Sequence, residues 1–144
     1  MLTVQKILKS KGNKVHTIAP LESTFTALQQ MAEHNIGALL VFDQGTVAGI
    51  FSERDYTRKM IFQEKSSKET KVCDLMTQDV LYTEPSCTIN ECMALMTDKR
   101  VRHLPVMEQG QLIGIVTIGD IVKQIISEQE HTIQQLEKYI TGSY

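Results

Sequence analysis

Apolar positions along this chain change rhythm in a fixed order, and the whole order occurs twice. Val15 to Ile18 and Val80 to Thr83 are extended segments, each running toward a proline, Pro20 or Pro85, that discourages helix before it. Phe25, Leu28 and Met31 then fall at helical spacing, as do Ile89, Cys92, Met93 and Met96, with Ser23 and Thr88 placed as N-caps. Continuous apolar runs of strand length follow, Ala38 to Phe42 and Leu104 to Met107. Turns come next at Asp43-Gln44-Gly45 and Glu108-Gln109-Gly110, where glycine supplies positive φ. A second strand, Val47 to Phe51 or Leu112 to Val116, leads into a second helical pattern. The predicted order is β-α-β-β-α, twice.

The two copies keep a register of 65 residues, Asp55 to Asp120. That shift aligns Val15 with Val80, Pro20 with Pro85, Met31 with Met96, Leu39 with Leu104, Val41 with Val106 and Gly49 with Gly114. Neither unit is large enough to bury its sheet face alone, so the two are expected to pack as one pseudo-two-fold body of class α/β, more narrowly α+β. Three segments lie outside the repeat. Val4-Gln5-Lys6-Ile7-Leu8 resembles Val72-Cys73-Asp74-Leu75-Met76, a lead-in helix whose spacing to its unit differs by three residues. The stretch 63–71, rich in Lys, Ser and Glu, reads as a solvated linker. Ser127 to Ile140 reads as an amphipathic helix with Ile133, Leu136 and Ile140 on one face, either packed on its own body or making a dimer contact. The domain division expected is 1–64 with the lead-in helix, 65–126, and a C-terminal helix and tail over 127–144.

The most informative stretch is Gly49-Ile50-Phe51-Ser52-Glu53-Arg54-Asp55, with its echo Gly114-Ile115-Val116-Thr117-Ile118-Gly119-Asp120. Each is a short strand ending in a hydroxyl residue, with a carboxylate three residues on. The hydroxyl caps a free backbone N–H, and the acid sits well against the positive end of a helix.

Composition narrows the function classes. The chain has 144 residues, 42% of them hydrophobic, enough for a real core. A net charge of −2 gives no basic excess of the kind nucleic acid requires. No run approaches the ~18 apolar residues of a membrane span. Cys73, Cys87 and Cys92 lack metal-ligand spacing and read as reduced thiols of a cytoplasmic protein. The methionines are adaptable core filler, and the Gly-x-Gly-x-x-Gly fingerprint is absent. No nucleophile with an adjacent base stands out, so an enzyme is not expected.

These residues carry a family resemblance. The paired Gly-Ile-Phe-Ser-Glu-Arg-Asp and Gly-Ile-Val-Thr-Ile-Gly-Asp motifs, the Arg102-His103-Leu104-Pro105-Val106 strand and the lead-in Val72-Cys73-Asp74-Leu75-Met76-Thr77 resemble a tandem pair of cystathionine-β-synthase-type (CBS) domains, a Bateman module. The resemblance covers nearly all of residues 1 to 126. It implies non-catalytic, regulatory binding of an adenine nucleotide (AMP, ADP, ATP or NAD(H)) in clefts between the two domains, with no metal. It also implies a homodimer and an unidentified protein partner that reads a conformational change; membrane and nucleic acid are not expected partners. By the same resemblance the first cleft would use Ile50, Ser52 and Asp55, with Arg54 and Arg58 toward phosphates, and Tyr82, Val101, Arg102 and His103 facing them. The second would use Ile115, Thr117 and Asp120, with Thr17, Ile36, Gly37 and Ala38 opposite. Arg100, Arg102 and His103 have the uncharged counterparts Asn35, Gly37 and Ala38, so the two clefts are not equivalent. Asp55 and Asp120 favour ligand contact over the simpler role of helix-start acids because they recur in register with a hydroxyl three residues before, whereas Ser52 and Thr117 are equally readable as caps. On the simpler reading the protein is a structural or interaction scaffold with vestigial clefts.

Overall fold

The computed structural model describes residues 1–142; Ser143 and Tyr144, at the end of the expected tail, lie outside the described residues. In chain order the elements are α1 (Val4–Lys11), β1 (Thr17–Ile18), α2 (Thr24–His34), β2 (Ala38–Asp43), β3 (Thr46–Ser52) and α3 (Glu53–Lys59), which ends in a 3₁₀ turn. Then come α4 (Val72–Leu75), α5 (Ile89–Lys99), β4 (His103–Glu108), β5 (Gln111–Thr117) and α6 (Ile118–Thr141). The fold class is α+β, as the two rhythms require.

Local chemistry accounts for most boundaries. Ser23 accepts from the Thr26 N–H and Thr88 from the Glu91 N–H, so both expected N-caps are made. Both strand pairs are antiparallel hairpins with two-residue loops, Gln44-Gly45 and Gln109-Gly110. Both loop residues have positive φ in each case, 52° and 80°, then 51° and 77°. This is the mirror-image turn whose twist matches paired strands. Each hairpin carries a bulge at the same place, between Val41 and Phe42 and between Val106 and Met107. The leading strands differ. Thr17–Ile18 pairs in parallel with β2, whereas the expected strand Val80 to Thr83 reduces to a single bridge from Thr83 to Val106.

By its internal packing the chain divides into two compact units, each of which takes in a lead-in helix from outside its own repeat. One unit is Val15–Leu81; the other joins Met1–Lys14 to the chain from Tyr82 onward. Each repeat therefore holds the lead-in helix that precedes the other. The reason lies in three repeated backbone hydrogen bonds. Val72 N donates to Glu22 O, Cys73 N to Pro20 O, and Thr24 N to Thr70 O. In the other unit Val4 N donates to Cys87 O, Gln5 N to Pro85 O, and Ile89 N to Leu2 O. These bonds satisfy donors at the starts of the lead-in helices and of α2 and α5, donors that a helix start otherwise leaves unpaired.

The lead-in helices also complete the cores. In the Val15–Leu81 unit, Ile18, Ala27, Met31, Leu39, Val41 and Phe51 cluster with Val72 and Leu75 of α4. In the other, α1 packs on β5 and α6 and buries Val4, Ile7 and Leu8. The stretch 63–71 is mostly exposed, as a solvated linker should be, but it is anchored at a few points. Thr70 is fully buried, Ser67 O accepts from both Phe25 N and the Thr24 hydroxyl, and Lys68 lies 4.9 Å above the Phe25 ring. The expected helix 127–140 is the distal part of α6, a single helix of 24 residues that begins at the second motif.

Cys92 is buried on α5, where Sγ and Thr83 Oγ1 lie 3.5 Å apart. Burial raises its thiol pKa, Thr83 opposes that in part, and Cys87 and Glu91 add to the rise. A raised pKa leaves less thiolate at any given pH. In the folded protein a maleimide is expected to label Cys73 and Cys87, both half-buried, well before Cys92. Peptide mapping after timed labelling checks this, and early modification of Cys92 would contradict it.

Candidate functional site: two capping boxes and what holds their carboxylates

Both singled-out motifs form complete capping boxes. In the first, Ser52 Oγ accepts from Asp55 N, and Asp55 Oδ2 accepts from Ser52 N and Ser52 Oγ, all at 3.0 Å. In the second, Thr117 Oγ1 accepts from Asp120 N at 3.1 Å and Asp120 Oδ2 accepts from Thr117 N at 2.9 Å. The capping reading of all four residues is thus realised in the fold.

The carboxylates then differ. Asp55 Oδ1 accepts from the Thr77 hydroxyl at 2.9 Å and pairs with Lys59 Nζ at 3.0 Å. Lys59 also donates to Leu75 O at 2.9 Å. Lys11 Nζ meets Asp120 Oδ2 at 2.7 Å and donates to Ile115 O at 2.9 Å. The difference follows from the lead-in segments. After α4 the chain turns extended at Met76, and Thr77 pairs with Ile50 as a short bridge that brings its hydroxyl to Asp55. In α1 the helix continues through Lys9-Ser10-Lys11 until Gly12, with φ of 98°, ends it. A lysine side chain from the helix end reaches Asp120 instead. In both units a lead-in segment is tied to the motif carboxylate.

The other predicted residues fall beside these boxes. In the Val15–Leu81 unit, Ala38 is opposite Ser52, and Gly37 O accepts from Glu53 N at 3.0 Å. Thr17 is opposite Leu40, which is opposite Ile50, so the three share one row across the sheet. Ile36 is half-buried after the left-handed Asn35, while α3 carries Arg54 and an exposed Arg58. In the second unit His103 is opposite Thr117, Ile115 is opposite Pro105, and Arg102 O accepts from Ile118 N at 3.0 Å. Tyr82, 41% exposed, precedes the Thr83 bridge, and Val101 follows Arg100, which takes the left-handed cap position at φ 55°. Each box therefore neighbours strand-end residues that sequence reading assigned to the other ligand position.

Sequence reading missed Lys11 and Lys59. Lys59 was open to discovery as an Asp-to-Lys i,i+4 pair on one helix. Lys11 was not, because 109 residues separate it from Asp120. No group of three His, Cys, Asp or Glu among the described residues is arranged to hold a metal ion. No helix among them is long and apolar enough to cross a membrane.

Comparison with known proteins identifies the family. The CBS-domain family model matches residues 5–61 and 72–127. The chain belongs to the CBS-domain family, with two such domains in tandem. It is similar to "CBS domain-containing protein CBSX3, mitochondrial" of Arabidopsis thaliana, 39% identical over 99% of this chain and 73% of that protein. A crystallised putative signal-transduction protein with CBS domains from Burkholderia ambifaria is 51% identical, with TM-score 0.86 over 88% of this chain and 96% of that one. The CBS domain pair of protein MJ0100, solved in complex with 5′-methylthioadenosine and S-adenosyl-L-methionine, has the same fold at TM-score 0.75 and 21% identity, over 89% of this chain and 98% of that one. CBS pairs are a class of regulatory modules and are generally non-catalytic.

Proposed function

We propose that the protein is a regulatory sensor that binds an adenine nucleotide (AMP, ADP, ATP or NAD(H)) at its two Ser/Thr-x-x-Asp boxes and signals to a protein partner. One observation carries the reading: the same box recurs in both units, each carboxylate fixed at a helix start beside strand-end backbone groups. Two carboxylate oxygens suit the two hydroxyls of a ribose, and backbone donors and acceptors suit an adenine edge. The start of α6 favours a nearby phosphate. The adenosine-containing ligands of the MJ0100 pair support the ligand class.

The signal follows from what already occupies the carboxylates. A ribose that takes Asp55 competes with Thr77 and Lys59, and one that takes Asp120 competes with Lys11. Thr77 and Lys11 belong to lead-in segments, so the ligand favours an arrangement in which those segments are released. Such differential binding shifts the population that a partner meets. Three free thiols support a reducing compartment, for which we propose the cytoplasm.

The test is to denature the purified protein, identify any released small molecule by mass spectrometry, and titrate the emptied protein calorimetrically with AMP, ADP, ATP, NAD and NADH. Saturable binding of at least one nucleotide, weakened by Asp120→Ala, is expected. No heat from any of them, with nothing released, would overturn the proposal. It would favour the second reading, a scaffold with vestigial sites, whose support is that lysines already neutralise both carboxylates.

A further inference from the structure

Two cysteines flank the start of α5. Thr88 caps that helix, Cys87 is the residue before the cap, and Cys92 is the fourth residue after it. Side chains at those two positions often pack together as the staple that fixes how a chain enters a helix. Here Cys87 is close enough to add to the rise of the Cys92 thiol pKa. The fold does not require sulfur in either place. Sixty-five residues earlier, the same positions around α2 hold Glu22 and Ala27. The surroundings differ too. Thr83, 4% exposed, sets a hydroxyl 3.5 Å from Cys92 Sγ, where its counterpart Ile18 offers only an apolar side chain. A hydroxyl in that place can donate to a thiolate, and it pulls down the pKa that burial pushes up.

We propose that Cys87 and Cys92 are a reversible disulfide pair, oxidised by low-molecular-weight disulfides, that acts on the start of α1. Cys87, half-buried, is the sulfur that such a reagent reaches first, and Cys92, buried, closes the bond. The Cys87 thiolate attacks one sulfur of the reagent, whose S–S bond breaks and whose other half leaves as a thiolate. Cys92 then loses its proton and attacks Cys87 Sγ in the mixed disulfide, and the second half leaves. Two cysteine thiols are oxidised by two electrons, the reagent is reduced to two thiols, and both protons end on them. In a reducing compartment such a pair rests as thiols and is oxidised only transiently. Its target is given by the backbone. Cys87 O accepts from Val4 N at 2.9 Å, Pro85 O from Gln5 N at 3.0 Å, and Ile89 N donates to Leu2 O at 3.0 Å. The segment that the disulfide would cross-link is therefore the clamp on α1. Closure turns Cys92 Sγ off Thr83 and draws Cys87 toward α5, which takes its carbonyl away from Val4. Because α1 ends in Lys11, the partner of Asp120, the oxidised clamp also bears on that box. The pair itself needs no nucleotide.

Incubation of the full chain with oxidised glutathione, followed by fragment mapping, tests it. The expected product has lost two hydrogens, retains only the Cys73 thiol and carries no glutathione. Cleavage after Glu91 should leave the Cys87 and Cys92 fragments joined until a reductant separates them. Cys92→Ala should stop at a glutathione adduct on Cys87, and Cys87→Ser should leave Cys92 unmodified. Thr83→Val, which copies the apolar character of Ile18, should slow closure about tenfold and let the adduct accumulate, the worth of one hydrogen bond to the thiolate. In the oxidised chain, amide exchange at Val4 and Gln5 should accelerate while the β4–β5 hairpin stays protected. Three unchanged thiols, a lasting glutathione adduct on the wild type, or a disulfide between chains through Cys73 would overturn the pair. Unchanged exchange at Val4 and Gln5 would overturn its action on α1.

Discussion

Asp55→Ala is expected to destabilise the protein by about 2–3 kcal/mol, more than Asp120→Ala at about 1–2 kcal/mol. The Asp55 carboxylate closes a capping box whose loss costs ~1 kcal/mol. It also accepts from the Thr77 hydroxyl, a part-buried bond worth about another 1 kcal/mol. Lys59 adds little, since its side chain is 42% exposed and water screens the pair. Asp120 closes the same box, but its further partner is a single lysine, Lys11, held by a long side chain whose ordering costs entropy. Urea denaturation of the two variants reads the difference directly, and equal losses would show that the Thr77 bond contributes nothing. If the boxes hold ribose, each variant should also weaken nucleotide binding at its own site by about 10–100-fold, the worth of hydrogen bonds to a charged acceptor.

That asymmetry marks where the sequence stops being readable. Ser23, Thr88, Ser52 and Thr117 announce their helix starts because a cap is a contact over three residues, and each is made as read. The hairpins were equally legible, since Gln-Gly between two apolar runs has few other uses. What failed was everything fixed by distant partners. Val80 to Thr83 has the composition of a strand, yet only Thr83 finds one residue to pair with. Thr70 looks like a linker threonine and is buried because its carbonyl accepts from Thr24 N at the start of α2, while Val72, two residues on, donates to Glu22 O beside the same helix start. The lead-in helices are legible as elements, but the pattern of their apolar faces does not say which repeat they pack on. The choice was made by backbone bonds to Pro20, Glu22, Pro85 and Cys87, which a side-chain pattern does not encode. The end of the repeat suggests a break near residue 126, yet neither Gly nor Pro interrupts α6 between Gly119 and Gly142, and the helix runs on.

Gly49→Ala is expected to cost about 2–4 kcal/mol, clearly more than Gly114→Ala at the equivalent position. At neither residue is φ positive, so alanine adopts the backbone without strain and even gains slightly from a stiffer unfolded chain. The cost is therefore steric, and the two sites differ in what the new methyl group meets. At Gly114 it would lie 2.7 Å from Leu8 Cδ2, the far end of a side chain that can rotate, although it is buried. At Gly49 it would lie 2.7 Å from the backbone oxygen of Thr77 and 2.8 Å from Met76 Sδ. That oxygen accepts from Ile50 N at 2.9 Å, while Thr77 N donates to Ile50 O at 2.8 Å. Thr77 cannot retreat without breaking both bonds and carrying its hydroxyl away from Asp55. The damage should thus spread along the lead-in segment: amide exchange at Ile50, Thr77 and Met76 should accelerate together in Gly49→Ala while α5 and β4 stay protected. Denaturation midpoints give the ranking and exchange gives the route. Equal costs for the two alanines would mean that the Thr77 bridge yields as easily as the Leu8 side chain, and that neither lead-in segment is rigidly held.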